Sequence, residues 1–117
     1  MKGDNAVQIK SYEFAKRIVL LYKHLTEEKK EFVLSKQLLR SGTSIGANIE
    51  EAIGGSSKRD FKAKLNISYK EARETKYWIR LLKDTGYLDK KAANSILTDC
   101  EELLKLLFSI IRSSKED

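Results

Sequence analysis

Apolar residues recur at helical spacing along most of the chain, and the pattern is clearest between residues 34 and 78. At 100° per residue, Leu34, Leu38, Ile45, Ile49 and Ala52 share one face of a helix. A second helical pattern follows the Gly-Gly-Ser-Ser turn at residues 54–57. The chain has no proline that would interrupt long helices. This segment therefore predicts two packed helices at the centre of an all-α protein.

The rest of the chain adds one helical pattern on each side of this pair. We expect helices at about 11–25, 35–53, 58–85 and 90–113, after a loose arm at residues 1–10. Short polar residues at helix starts accept backbone N–H hydrogen bonds, so the predicted N-caps are Ser11, Ser35, Ser57 and Asp89. We expect the second helix to end at Gly54-Gly55, where positive φ costs little, and the third helix to stop at Gly86. Short connections then predict one domain, residues 1–117, folded as an up-down-up-down four-helix bundle.

Composition sets limits on the class of protein. With 41% apolar residues in 117, the chain can bury a real core and is not expected to be disordered. Its 23 basic and 17 acidic residues give a net charge of +6, which permits an anionic partner without requiring one. A single cysteine, no apolar leader and no long apolar run predict a cytoplasmic protein with no membrane partner.

A polar stripe lies beside the apolar stripe of the second helix. It is built mainly of short amides and hydroxyls, which suit a half-buried contact better than solvent. We hypothesise that it joins a polar network between helices or subunits, centred on Arg40, Asn48, Glu51 and Glu74. An ordinary polar boundary of a bundle is the alternative. The candidate network residues are Gln37, Arg40, Ser44, Asn48, Glu51 and Glu74.

The third helix carries a second candidate site, the basic stripe. Its seven residues follow at alternating spacings of four and three, so they share one helix face, and five are cationic. Such a face can hold phosphates, and Tyr69 within it can stack on a base. The alternative is a solvated face whose long side chains shield the core. The stripe consists of Lys62, Asn66, Tyr69, Arg73, Lys76, Arg80 and Lys83.

The third and fourth helices carry more apolar surface than one core needs, which indicates a partner subunit. The surplus residues are Ile67, Tyr77, Trp78, Leu81, Leu106, Phe108 and Ile110.

Residues suited to catalysis or metal binding are few. His24 is the only histidine and is expected at the surface, whereas Cys100 falls on a core stripe. We therefore predict no cofactor, no metal and no catalytic residues. An enzyme using Glu51, Glu71 or Glu74 is the least favoured alternative, since it needs an enclosed pocket and a raised carboxyl pKa.

Two motifs in the second helix resemble the signature of a known family. Residues 37–41 read QLLRS and residues 44–51 read SIGANIEE, close to the pattern Q-L-x-R-A-x-x-S-I-x-x-N-I-x-E-G. Asp60-Phe61 and the KEARETKYW run at residues 70–78 continue the match. Over about its whole length the chain is similar to the four-helix-bundle proteins, also called the 23S rRNA intervening-sequence protein family. It departs from the usual Ala, Gly and Ala at Ser41, Ala52 and Ser68.

That resemblance implies the fold and suggests a function. Most members have no known activity, but the family includes the accessory protein of diversity-generating retroelements, a pentameric barrel. The resemblance thus implies a ring-like homo-oligomer, with a pentamer favoured. Together with the basic stripe, it leads us to expect a non-enzymatic scaffold that binds RNA or DNA. The alternative is an adaptor whose basic face docks an acidic protein.

Overall fold

Four long helices account for most of the chain. A computed structural model describes residues 2–114, with side chains described from residue 6 onward. The helices are α1 (Lys2–Glu27), α2 (Leu34–Ile53), α3 (Lys58–Asp84) and α4 (Lys90–Ser113). The described residues contain no strand, so the predicted all-α class and the count of four helices are confirmed.

Each helix runs antiparallel to the next. Between α1 and α2, Gln8 bonds Glu50 while Ile18 lies beside Gly42, so residue numbers rise on one helix as they fall on the other. The same reversal holds at the other helix pairs. Between α2 and α3, Ser41 contacts Thr75 and Ile45 contacts Ser68. Between α3 and α4, Tyr69 lies beside Phe108 and Lys83 bonds Asn94, and between α1 and α4, Lys10 pairs with Glu102 and Arg17 with Asp99. Within the described residues α1 contacts α2 and α4 but not α3. Helices α1 and α3 therefore occupy opposite corners of the bundle.

The first helix is longer than the sequence indicates. Residues 2–10 are helical, so the prediction of a loose arm is wrong for them, and residue 1 lies outside the described residues. Val7 and Ser11 are buried and continue the core spacing of Phe14 and Ile18 toward the N-terminus. Ser11 is not an N-cap, because it lies inside α1 and its hydroxyl donates to the carbonyl of Gln8 at 3.0 Å.

The start of α2 is capped by a residue that the sequence analysis did not single out. Ser35 is not the N-cap as predicted; it lies in the first turn and donates to the Glu31 carbonyl at 2.7 Å. Instead, the Glu31 carboxylate accepts from the backbone N–H groups of Val33 (3.2 Å), Leu34 (3.0 Å) and Ser35 (2.7 Å). Burial alone would raise the pKa of Glu31, but these bonds outweigh burial and lower it.

A tight turn brings Glu31 to this position. Lys30 has a φ of 56°, in the left-handed region that ordinary residues seldom adopt. The chain thereby folds back, and the Glu31 N–H donates to the carbonyl of Leu25 at 2.9 Å. Glu31 is thus hydrogen-bonded both to the end of α1, through its backbone N–H, and to the start of α2, through its carboxylate.

The predicted caps of α3 and α4 are confirmed. The Ser57 hydroxyl accepts from the Asp60 N–H at 3.1 Å, and the Asp89 carboxylate accepts from the Ala92 N–H at 2.8 Å. Both cap residues have extended backbone, as an N-cap requires.

Glycine ends α3 as predicted but does not end α2 in the expected way. Gly86 has a φ of 87°, where a residue with a Cβ would be strained. Gly54 has a φ of −82° and Gly55 does not have a positive φ either, so the expectation of positive φ at the end of α2 is wrong. The Gly54 N–H simply donates to the carbonyl of Glu50 at 3.1 Å and extends the helical hydrogen-bond pattern by one residue.

Helices α1 and α2 approach closely because α2 has a glycine at their contact. A Cβ on Gly42 would lie 2.8 Å from both Cγ atoms of Ile18, closer than carbon atoms pack. Ile18 is fully buried and cannot swing away. The absence of a side chain at Gly42 therefore sets the spacing of this helix pair.

The core is a single cluster formed by all four helices. It includes Ile110, which the sequence analysis assigned to a partner-facing surface. Within the described residues, none of the helices combines the length and apolarity needed to cross a bilayer. The largest fully buried side chains are Phe14, Ile18, Leu25, Leu38, Ile45, Ile49, Leu65, Ile79, Leu82, Leu103 and Leu107.

Candidate functional site

Arg40 is the centre of a charged cluster at the edge between α2 and α3. Its guanidinium contacts Glu71 at 3.3 Å, pairs with Glu74 and donates to Gln37 at 3.3 Å. The indole N–H of Trp78 donates to the same Glu74 carboxylate at 2.9 Å. The predicted network therefore exists in part, since Arg40 joins Gln37 on its own helix to Glu74 on the next.

The other predicted members of the network lie apart from Arg40. The Ser44 hydroxyl donates to the Arg40 carbonyl at 2.7 Å, and the Asn48 amide donates to the Ser44 carbonyl at 2.8 Å. Such short side chains bond readily to their own helix backbone. Glu51 pairs with Lys64 of α3 at 2.8 Å, about three turns further along α2. The polar stripe thus reaches α3 at two separate points, Arg40 and Glu51, while Ser44 and Asn48 between them bond to the backbone of α2.

Buried hydroxyls support the same helix pair. Thr75 donates to the Ser41 hydroxyl at 2.9 Å, and Ser68 donates to the Ile45 carbonyl at 2.9 Å. All three hydroxyl groups are fully buried and hydrogen-bonded, so none carries the cost of an unpaired polar group. These bonds fix the register of α3 on α2.

The basic stripe lies on the opposite side of α3, along its edge with α4. Lys76 pairs with Glu101 of α4 at 2.9 Å, and Lys83 donates to Asn94 at 3.3 Å. Its remaining polar contact is local, since Asn66 donates to the Lys62 carbonyl at 3.0 Å. The stripe is therefore neither wholly solvated nor neutralised by the neighbouring helix.

Part of the stripe borders a surface depression that we call the α3–α4 groove. It has a volume of about 260 Å³ and is lined by Arg73, Lys76, Tyr77, Arg80 and Leu104. Among residues 6–114, no carboxylate forms an ion pair with Arg73 or Arg80. Both guanidiniums remain available to an anion that enters the groove.

Glu101 is the acidic group that faces the groove from α4. The hydrogen bond and the positive charge of Lys76 lower the pKa of Glu101, which therefore stays ionised at neutral pH. It offsets one cation, so the two arginines leave the groove positive. The sequence pattern alone could not establish this local excess of positive charge, because it does not show which acidic groups of α4 face the groove.

Two aromatic rings lie outside the groove, along the same α3–α4 edge beyond Arg73. Tyr69 on α3 and Phe108 on α4 lie with ring centroids 6.3 Å apart, and Phe108 is 53% exposed. Helical spacing placed Tyr69 in the basic stripe, whereas Phe108 was predicted only as surplus apolar surface. Their proximity depends on the register of α4 against α3.

An exposed apolar surface on α1 was not predicted from the sequence. The outer face of α1 (Ile9, Tyr12, Val19 and Leu20) lies opposite the buried face of that helix, and all four side chains are exposed. Three of them border one shallow apolar depression of about 400 Å³. Their helical spacing in the sequence was the available signal. Of the surplus residues predicted on α3 and α4, Ile67, Tyr77 and Phe108 are exposed.

His24 and Cys100 are the two residues that were considered for metal or redox chemistry, and neither lines the surfaces described above. His24 is exposed near the end of α1, as predicted. Cys100 is fully buried and donates to the Ala72 carbonyl at 3.3 Å, and burial raises its pKa to about 12. Within the described part of the chain, no three His, Cys, Asp or Glu side chains cluster as metal ligands would.

Comparison with known proteins gives a family match and matches to solved structures. The family described as 23S rRNA-intervening sequence protein matches residues 3–109. A crystal structure at 1.70 Å, of a protein with unknown function from the S23 ribosomal protein family of Bacteroides thetaiotaomicron VPI-5482, is 58% identical. The match covers 95% of this chain and 99% of that one, with a TM-score of 0.94. No curated protein matches this chain.

Proposed function

The chain belongs to the 23S rRNA-intervening sequence protein family, and we propose that it is a non-enzymatic, self-associating scaffold that binds nucleic acid through the basic stripe of α3. The observation that carries this proposal is the α3–α4 groove. Arg73 and Arg80 border it without carboxylate partners among the described residues, so their charge is available to phosphates.

The carboxylates on the other side of α3 support a non-enzymatic role. Glu71 and Glu74 share Arg40, and Glu51 pairs with Lys64. A general acid or base needs a pKa adjusted to its task and a substrate within hydrogen-bond reach. Carboxylates held by cations at the edge between α2 and α3 serve packing of the two helices instead.

Self-association is supported by the outer face of α1. Leu20 is 65% exposed and Tyr12 is 63% exposed, and both side chains border the same shallow apolar depression. Scattered apolar residues are normal on a protein surface, but a contiguous apolar face is typical of an interface. We propose that a second copy covers this face in a ring-like homo-oligomer, with a pentamer favoured by the family.

Charge removal tests the nucleic-acid part of the proposal. We would measure binding of a structured RNA and a duplex DNA between about 50 and 200 mM salt. The variant Arg73→Gln/Lys76→Gln/Arg80→Gln should bind more weakly. Its salt slope should fall by about two to three, because each phosphate contact contributes about 0.7 to 0.9 to the slope.

A matched control separates a specific groove from general positive charge. Lys23, Lys29 and Lys36 are exposed on α1, on its connection to α2 and on α2, so their triple Gln variant removes the same charge elsewhere. Equal losses in both variants would reject the α3–α4 groove as the binding surface. A stable oligomer that binds neither polymer would favour an adaptor that docks an acidic protein.

The oligomer is tested separately by light scattering. Leu20→Glu places a charge in the proposed interface and leaves every buried core residue unchanged. It should lower the mass of the assembly while the helical circular dichroism stays unchanged. An unchanged mass would show that the outer face of α1 is not the contact between copies.

A further inference from the structure

The α3–α4 groove combines cations with exposed aromatic rings. Tyr77 lines the groove and is 54% exposed, with its ring held edge-on against Trp78 at a centroid distance of 5.0 Å. Beyond the other end lies the pair of Tyr69 and Phe108. Arg73 stands between the two aromatic positions along α3.

Exposed aromatic rings beside a row of cations can stack on the bases of an unpaired strand but not on those of a duplex. In a duplex the faces of the bases are stacked on one another and cannot reach a protein side chain. In an unpaired strand they are available, and aromatic side chains stack on them without regard to sequence. Phe108 is informative because it has no polar atom and can contribute only a ring surface.

We propose that the α3–α4 groove takes an unpaired nucleic-acid strand, with phosphates on Arg73 and Arg80 and bases stacked on Phe108 and Tyr77. This rests on the proposed function, because it specifies the ligand of the same basic face. The aromatic positions at residues 69 and 77 are eight residues apart on α3, or about 12 Å. At about 3.4 Å per nucleotide of a stacked strand, that distance corresponds to about three to four nucleotides.

The charges beside the rings fit such a strand. Lys76 pairs with Glu101 and offsets the carboxylate, which alone would repel a phosphate. Arg73 and Arg80 are seven residues apart, about 10.5 Å along the helix, on the same face. Two phosphates of one extended strand can therefore contact the two guanidiniums while the bases turn toward the rings.

Fluorescence anisotropy with paired probes tests this inference. The probes are oligo-uridine and oligo-thymidine of about 12 nucleotides and an RNA duplex of the same length. The native protein should bind the unpaired probes more tightly than the duplex. Phe108→Ala should weaken binding of the unpaired probes by about 5- to 100-fold and leave the duplex affinity and both salt slopes unchanged.

Two matched variants control for loss of apolar surface and for the ring itself. Phe32 is 57% exposed on the connection between α1 and α2, which does not line the groove, so Phe32→Ala removes a similarly exposed ring and should not change binding. Phe108→Tyr retains a ring and should retain binding. Tyr77→Ala should behave like Phe108→Ala.

The outcomes distinguish this inference from the proposed function. If the duplex binds as tightly as the unpaired strands and Phe108→Ala has no effect, the inference is overturned while the proposed function stands. If no probe binds, both are overturned. If Phe108→Ala instead lowers the mass of the assembly in light scattering, Phe108 is a contact between copies and the inference is again overturned.

Discussion

Replacing Glu31 should destabilise the bundle by an amount that depends on pH. Its carboxylate accepts three backbone N–H groups at the start of α2 and is only 8% exposed. Loss of an N-cap costs about 0.5–2 kcal/mol, and a negative charge at a helix N-terminus adds about 0.3–1 kcal/mol. Because one side chain serves three donors, we expect Glu31→Ala to lower the free energy of unfolding by about 2 kcal/mol. For 117 residues this corresponds to a fall in Tm of about 8 °C.

Glu31→Gln isolates the contribution of the charge. The amide keeps one acceptor oxygen, so we expect a loss of about 1 kcal/mol near neutral pH. The folded state lowers the pKa of Glu31, so its charge stabilises the protein above the unfolded carboxyl pKa of about 4.3. As the pH falls below that value and through the folded pKa, this stabilisation is lost. The difference between the native protein and Glu31→Gln should therefore shrink at acid pH.

Urea unfolding followed by circular dichroism measures both effects. Protein concentration is held constant, since self-association would shift the apparent stability. Glu28→Gln is the matched control, because Glu28 is an exposed carboxylate on the same connection. Equal losses for the two Gln variants, or a Glu31→Gln deficit that stays constant between about pH 7 and pH 3, would refute the capping role.

Three further predictions concern packing and charge. Gly42→Ala should lower the free energy of unfolding, measured in urea, by about 1 kcal/mol. Overpacking against Ile18 costs about 1–3 kcal/mol, while the higher helix propensity of alanine restores about 1 kcal/mol. A stabilised variant would contradict the close approach of α1 and α2. Cys100 should react with an aromatic disulfide reagent only when the protein unfolds, since its thiol is buried with a pKa of about 12, and rapid reaction of the folded protein would show otherwise. Arg40→Ala should cost about 1 kcal/mol, and adding Glu74→Gln should recover part of it by removing a carboxylate left without its cation. Strict additivity of those two changes in a double-mutant cycle would argue against their pairing.

The sequence predicts helices well where the signal is local. Ser57 and Asp89 cap α3 and α4 as expected because each cap needs only a short polar side chain three residues before a donor. The start of α2 could not be predicted in this way. Glu31 reaches three N–H groups only because Lys30 adopts a left-handed conformation, and that conformation depends on how α1 and α2 pack.

The N-terminal part of α1 shows the same limit. Residues 2–10 lack a strong local helix signal, but Val7 lies on the core spacing and is buried in the bundle. Burial of that residue against the rest of the fold outweighs weak local propensity. Tertiary packing, which a single sequence pattern does not contain, therefore decides where α1 begins.

The candidate site could be predicted only as a list of cations on one helix. Spacing alone placed Arg73 and Arg80 on one face of α3. It could not show that Lys76 is held by Glu101, or that Phe108 on α4 lies beside Tyr69. Both facts depend on the register between two helices, which buried contacts elsewhere in the bundle determine.

The arrangement of helices allows self-association and nucleic-acid binding at the same time. Because α1 and α3 occupy opposite corners, a copy docked on the outer face of α1 does not cover the basic stripe on α3 of the same chain. A ring also needs a second contact face, and the α3–α4 groove stays open when that face lies elsewhere. An assembly would then present several grooves to one long strand, and its salt slope would be the sum over those engaged. Leu20→Glu should therefore lower the salt slope for a long single-stranded RNA, although no groove residue has changed. For a strand of about four nucleotides, which fits one groove, the same variant should leave affinity per chain unchanged. A slope that is unchanged for the long strand, in a variant shown by light scattering to have dissociated, would mean that each groove binds alone.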